Sequence, residues 1–209
     1  MPDLEDLISR MCLSKPCVSS ADSKSWHAHR EAERLSDPML LGEITAYLSK
    51  KRSKDERKAA YFVLGKVGKN IGSTECSHVL LQYVLSEKNK YALSTALDMI
   101  ADLPLKESED ITPISSLLLN DRWIVRYSAI RALRSAPSPE SESNLIALLK
   151  CTQDDYDKVY CHSALSVIGT ERSLPVIQSS VSSRKKDVKE SAAYAIENIQ
   201  RRIRVTVRP

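Results

Sequence analysis

Apolar residues recur along this chain at helical spacing, and they do so in five related windows. RKAAYFVLGKVG (57–68), KYALSTALDMIA (90–101), VRYSAIRAL (125–133), KVYCHSALSVIG (158–169) and VKESAAYAI (188–196) align so that Leu64, Leu97, Leu133, Leu165 and Ile196 occupy one equivalent place, 33, 36, 32 and 31 residues apart. With Val125 as position 0, a wheel at about 100° per residue gathers positions 0, 4, 7, 8 and 11 on one side. Position 7 is small throughout: Val63, Ala96, Ala132, Ala164 and Ala195. Small residues at a repeated place let neighbouring helices approach closely, as stacking of repeats requires.

A shorter apolar segment precedes each long one: MLLGEITAYL (39–48), HVLLQYVL (78–85), PISSLLL (113–119), NLIALL (144–149) and LPVIQSSV (174–181). The pattern therefore predicts helical hairpins, with residues 3–14 and 24–36 forming a weaker first one. Pro38, Pro104, Pro113, Pro137, Pro139 and Pro175 all fall in predicted loops or first turns, where the missing amide and fixed φ cost least. Ser53 and Glu56 have the spacing of a capping box at the start of one long helix.

Composition narrows the function classes. The 209 residues suffice for one domain with a sizeable core, and 42% hydrophobic with 28% charged residues argues against a disordered chain. Five glycines, with neither GxGxxG nor GxxxxGK[ST], leave no phosphate-cradling loop. Asp3, Glu5 and Asp6 stand where an export signal would carry basic residues, and no window approaches the roughly 18 apolar residues of a membrane span. Five cysteines without CxxC spacing read as reduced thiols, so a cytoplasmic protein is expected.

Net charge is +4, and residues 184–209 hold eight Lys and Arg against three acids, so the basic character belongs to the C-terminal end. A second basic stretch runs from Lys50 to Lys69.

The succession of a short apolar helix, an acidic turn, then VR followed by small residues and AL, as in DRWIVRYSAIRAL and KKDVKESAAYAIENI, resembles HEAT repeats of the short, phycobilisome-lyase-like type. The resemblance spans about residues 40–200. It implies an all-α, right-handed superhelical solenoid of about six antiparallel helical hairpins. Within one domain, residues 1–38 would be an atypical N-terminal capping hairpin, 39–203 the repeat solenoid and 204–209 a basic C-terminal tail.

The resemblance also implies that the second helix of each pair lines a concave face, toward which the wheel turns positions 2, 5, 6 and 9. Tyr61, Phe62, Tyr91, Tyr127, Arg131, Arg134 and Tyr194 are the candidate partner contacts, with Lys58, Asp98, His162, Glu190 and Glu197 on the same face. Aromatic and Arg side chains at such places suit protein binding. Position 1 is basic in every window (Arg57, Lys90, Arg126, Lys158, Lys189), and a structural role bridging to Asp121, Asp154, Asp155 or Asp187 is preferred over a phosphate-binding ladder.

Lys185, Lys186, Arg201, Arg202 and Arg204 are candidate nucleic-acid contacts should the basic end bind phosphates. Trp123 beside Asp121 resembles the pocket of HEAT-like DNA glycosylases, but that family's Trp-Asp motifs are missing, and no residue supports a bilin lyase. Cys12, Cys17, His27 and His29 are spaced C-x4-C-x9-H-x-H, looser than zinc sites favour, and buried thiols with helix histidines are the plainer reading. The expectation is a non-enzymatic protein-binding module without a cofactor, of the kind that includes adaptors, assembly factors and toxin-neutralising immunity proteins. Its partner is expected to be a protein with an acidic contact surface, and the chain to be monomeric outside that complex.

Overall fold

A computed structural model describes residues 3–14, 18–106 and 108–206. Among the described residues, twelve α-helices and two single-turn 3-10 helices account for the regular structure, and there is no strand. The chain divides into two compact units, residues 1–109 and 110–209.

The first unit holds α1 (Leu4–Met11), α2 (Lys24–Ala32), α3 (Leu40–Leu48), α4 (Lys54–Ile71), α5 (Thr74–Val84) and α6 (Lys90–Ile100). They pair as three hairpins, and the long helices α4 and α6 pack side by side. The predicted capping box is present: the Ser53 amide donates to Glu56 Oε2 at 2.8 Å, and the Glu56 amide donates to Ser53 Oγ at 3.2 Å. Gly72 ends α4 at φ +66°, a left-handed conformation that glycine adopts without a Cβ clash. Gly65 meets a different need. A Cβ there would lie 2.4 Å from Met99 Cβ, so its absence is what lets α4 touch α6.

The second unit holds α7 (Thr112–Ser115), α8 (Trp123–Arg134), α9 (Pro139–Cys151), α10 (Asp155–Ile168), α11 (Leu174–Gln178) and α12 (Lys186–Thr206). Here α10 packs against both α8 and α12. Two of the predicted short helices are truncated. After Ser115 and after Gln178 the serine-containing segments continue in tighter i→i−3 bonds, such as Leu118 N to Ser115 O and Val181 N to Gln178 O. By contrast α9, at 13 residues, is nearly as long as the 14-residue α10, with Ser138 capping it and Pro139 in its first turn. Toward the C-terminus α12 runs through Thr206, so the predicted tail from 204 begins as helix, and residues 207–209 lie outside the described residues.

The repeat register holds. Positions 4 and 7 are buried in all five long helices, and position 8 in all but the last, where Ile196 is half-buried. Position 5 is a correction to the wheel. It was expected on the open face, yet Tyr61, Ser94, Ile130 and His162 are all buried there. Tyr61 and His162 show the reason, since each faces groups supplied by the following repeat. Ala193, at the same place in α12, is exposed.

Candidate functional site

The basic residues at position 1 are used structurally at the strongest places. Arg57 grips Glu87 with two bonds, Nε to Oε2 at 2.7 Å and Nη2 to Oε1 at 2.9 Å, and its Nη1 donates to the Arg52 carbonyl. The Tyr61 hydroxyl donates to Glu87 Oε2 at 3.1 Å, and the Asn89 amide donates to its Oε1 at 2.8 Å. Burial alone would raise the Glu87 carboxyl, but the hydrogen bonds from Arg57 and the Asn89 amide outweigh it and hold it below its ordinary range.

One repeat pair later the same device recurs. Arg126 Nε donates to Asp157 Oδ2 at 3.0 Å, Nη2 donates to Asp154 Oδ2 at 2.9 Å, and Nη1 reaches the Asn120 carbonyl. Asp154 was among the predicted complements, whereas Glu87 and Asp157 were not. In both cases the carboxylate stands at or just before the start of the next long helix, so the pair ties one hairpin to its neighbour. Lys158 pairs with Asp155 at 3.7 Å, and Lys90 lies over the Tyr91 ring at 4.9 Å.

In the first unit the candidate contacts separate. Tyr61, only 1% exposed, is a core residue whose ring lies 5.6 Å from that of Tyr83. Phe62 is half-buried between His29, ring centroids 5.2 Å apart, and Lys66 Nζ at 5.1 Å. It lines an open recess of about 500 Å³ with Met11, Cys12, His29, Lys58 and Thr95. Tyr91 is exposed on α6.

His27 Nε2 and His29 Nδ1 each lie against a backbone carbonyl, Ala21 at 2.6 Å and Ser25 at 2.7 Å. Burial raises the Cys12 thiol, and Cys17 lies outside the described residues. Among the described residues no three His, Cys, Asp or Glu side chains are grouped to hold a metal ion.

The second unit assembles an aromatic tier. Trp123 and Tyr127 stand one turn apart on α8, Tyr156 and Tyr160 one turn apart on α10. Tyr127 stacks on Tyr160 with centroids 4.4 Å apart and planes 14° apart, and lies 5.3 Å from Trp123 and 6.4 Å from Tyr156. Trp123 is 60% exposed and Tyr156 66%, while Tyr127 is half-buried beneath them. Burial, then the fields of Asp154 and Asp157, push the Tyr127 phenol up to about 12 against the opposing effect of Arg126. The Tyr127 phenol therefore stays protonated near pH 7.

Arg131 and Arg134 are exposed on the following turns of α8, and Tyr194 is exposed on α12. Of the tier, Tyr127 was singled out as a partner contact, while Tyr156 and Tyr160 escaped notice. A readable signal existed, because Trp123 to Tyr156 and Tyr127 to Tyr160 are both 33 residues apart, close to the repeat length.

His162 was expected on the open face and is instead fully buried. Its Nδ1 meets Ser191 Oγ of α12 at 2.9 Å, and its Nε2 has no hydrogen-bond partner. Burial, with a smaller effect from Lys158, lowers its pKa to about 4.

The basic end is mixed. Arg202 donates to the carbonyls of Ser166 and Gly169, capping the end of α10, so it serves the fold. Arg201 pairs with Glu197 at 3.1 Å, and Lys185 and Lys186 approach Asp155 and Glu190 only to 3.9 Å each. Arg204 lines a shallow recess on α12 with Glu197, Gln200 and Val205. Among the described residues no helix is long and apolar enough to cross a membrane.

No protein-family model and no curated protein matches the sequence. Solved structures do resemble it. An engineered protein is 18% identical over 96% of this chain and 98% of its own, with a TM-score of 0.56. A designed armadillo repeat protein is 17% identical over 94% of this chain and 100% of its own, at 0.54. Another designed armadillo repeat protein, in complex with the peptide (KR)4, is 16% identical over 94% and 99%, at 0.59. At such identities the likeness shows the fold, and that fold is an all-helical repeat solenoid.

Proposed function

We propose that this protein is a non-enzymatic protein-binding module that holds its partner on the exposed faces of its long helices. The observation that carries the reading is the aromatic tier of the second unit. Four rings from two adjacent repeats, two of them well over half exposed, present rigid contact area that costs little conformational entropy to immobilise. Isolated exposed aromatics are ordinary on protein surfaces, whereas here Trp123, Tyr156 and Tyr160 gather around the single ring of Tyr127. The peptide held by a designed armadillo repeat neighbour supports the same use of this architecture.

Within the repeat class the residue pattern of VRYSAIRAL and VKESAAYAI favours short HEAT-like repeats. The role we favour is that of a cytoplasmic adaptor, assembly factor or immunity-type inhibitor, monomeric until it meets its partner. Affinity capture with the full chain as bait, followed by mass spectrometry, tests the reading when W123A/Y156A is run in parallel. A specific partner should be retained by the wild type and lost by the double variant. Equal capture by both would overturn the assignment of this face.

A further inference from the structure

Resting on the protein-binding reading, we infer that the aromatic tier of the second unit receives an uncharged, proline-rich segment of a partner in the polyproline II conformation. Its proline rings would pack on Trp123 and Tyr156, and its carbonyls would accept hydrogen bonds from the indole and phenol groups of the tier.

Charge around the tier is matched. Arg122 lies 3.5 Å from Asp121, Arg126 is held by Asp154 and Asp157, and Lys158 and Lys185 share Asp155 at 3.7 and 3.9 Å. An acidic partner, the expectation from the sequence, therefore gains no net countercharge at the rings, and a basic one gains none either. A nucleic acid, which needs cations to neutralise its phosphates, fares no better. What the surface offers is apolar ring area and hydrogen-bond donors. Among the described residues no protein acceptor takes the Trp123 indole N–H or the hydroxyls of Tyr127, Tyr156 and Tyr160, so these donors are free for a ligand.

Shape narrows the occupant further. Trp123 and Tyr127 form one row of rings on α8, and Tyr156 and Tyr160 a second row on α10. The rows meet where Tyr127 stacks on Tyr160 at 4.4 Å, which leaves no groove between them for a helix, about 10 Å across with its side chains. Among the described residues there is no strand, so an extended segment has no sheet edge on which to pair its backbone.

A polyproline II segment needs neither a groove nor an edge. It makes no internal hydrogen bonds, its carbonyls stand free to accept, and residues three apart lie on one face about 9 Å from each other. Trp123 and Tyr156 approach Tyr127 from α8 and α10 at 5.3 and 6.4 Å, which keeps both outer rings within reach of two prolines one turn apart. Flat proline rings settle on aromatic faces, and the segment is stiff before it binds, so little conformational entropy is lost.

Selection of a random 12-residue peptide library on phage against the immobilised full chain tests the inference. Enrichment of peptides without net charge that carry two prolines three residues apart is expected. A synthetic fluorescent copy of the leading peptide should bind about tenfold or more weakly to W123A/Y156A, and replacing its two prolines by alanine should cost as much. Raising salt to about 0.5 M should leave its affinity within about twofold, since no charged contact is screened. Circular dichroism melts of W123A/Y156A should match the wild type, because both side chains are mostly exposed. In W26F, where Trp123 is the one remaining tryptophan, the saturating peptide should shift the indole emission to the blue as water leaves the ring. That emission reads the site with all four rings in place.

Enrichment of charged or proline-free peptides that still depend on Trp123 and Tyr156 would overturn this inference and leave the protein-binding reading standing. Absence of enrichment, or peptides indifferent to W123A/Y156A that leave the Trp123 emission unmoved, would overturn both. A 12-nucleotide single-stranded RNA that binds more tightly than the peptide, and loses that binding in W123A/Y156A, would overturn both in favour of nucleic acid.

Discussion

His162 makes the stability of the second unit depend on pH in a window that can be computed. Its ring is buried between α10 and α12, one nitrogen against Ser191 Oγ and the other without a partner, and its pKa falls from 6.5 to about 4. A histidine whose folded pKa lies below its unfolded value contributes full stability above the unfolded pKa. That stability is lost as pH falls from 6.5 toward 4, because the unfolded chain takes up the proton first. At about 1.4 kcal/mol per pKa unit the loss amounts to about 2.5 kcal/mol by pH 4.5, and on the order of 3 kcal/mol at lower pH.

The variant His162→Leu isolates this effect. Ser191 Oγ also donates to the Val188 carbonyl at 3.1 Å, so removing the imidazole strands no hydroxyl. The leucine also replaces a buried nitrogen that has no bond to lose. Urea unfolding followed by far-ultraviolet circular dichroism at pH 7.5, 6.0, 5.0 and 4.5 should give two curves within about 1 kcal/mol of each other at pH 7.5. They should then diverge, with the variant the more stable by about 2 to 3 kcal/mol at pH 4.5. The other three histidines and all carboxylates are common to both proteins and cancel in the difference. Parallel curves across the whole range would refute the buried, neutral histidine and with it the packing of α10 on α12 described above.

Three further outcomes follow from the packing. Arg57→Ala leaves Glu87, whose side chain is 1% exposed, without its charged partner, and urea unfolding should show a loss of about 3 kcal/mol, whereas the paired change Arg57→Met with Glu87→Leu should cost clearly less. Gly65→Ala drives a methyl to 2.4 Å from Met99 Cβ, and thermal melts should register a destabilisation of about 1 to 3 kcal/mol that Met99→Ala in the same chain partly relieves. Ala132→Trp and Ala195→Trp overfill fully buried contacts between adjacent helices and should each cost a few kcal/mol by the same measurement; melting like the parent in both would mean that the repeat register is misaligned.

The helices, their order and the repeat register were legible in the sequence because they depend on local rules. A period of 3.6 in the apolar positions, small residues at position 7, prolines confined to loops and first turns and the Ser53–Glu56 capping box are all properties of residues a few places apart. The burial of Ala132, Ala164 and Ala195 follows from the same periodicity.

Tertiary structure alone decided what happens across repeats. A wheel drawn for one helix has two sides, inside and outside, whereas a helix in a stack has a third, the side that meets the next repeat. Tyr61 and His162 fall on that side and become core, while Ala193 is exposed at the equivalent place of α12. For the same reason the partners of Arg57 and Arg126 lie about thirty residues away, at the start of the next long helix, where no local pattern could point to Glu87 or Asp157. The aromatic tier is a contact of this kind as well. Trp123, Tyr127, Tyr156 and Tyr160 are two ordinary pairs of neighbours along two helices until α8 packs on α10 and brings Tyr127 face to face with Tyr160.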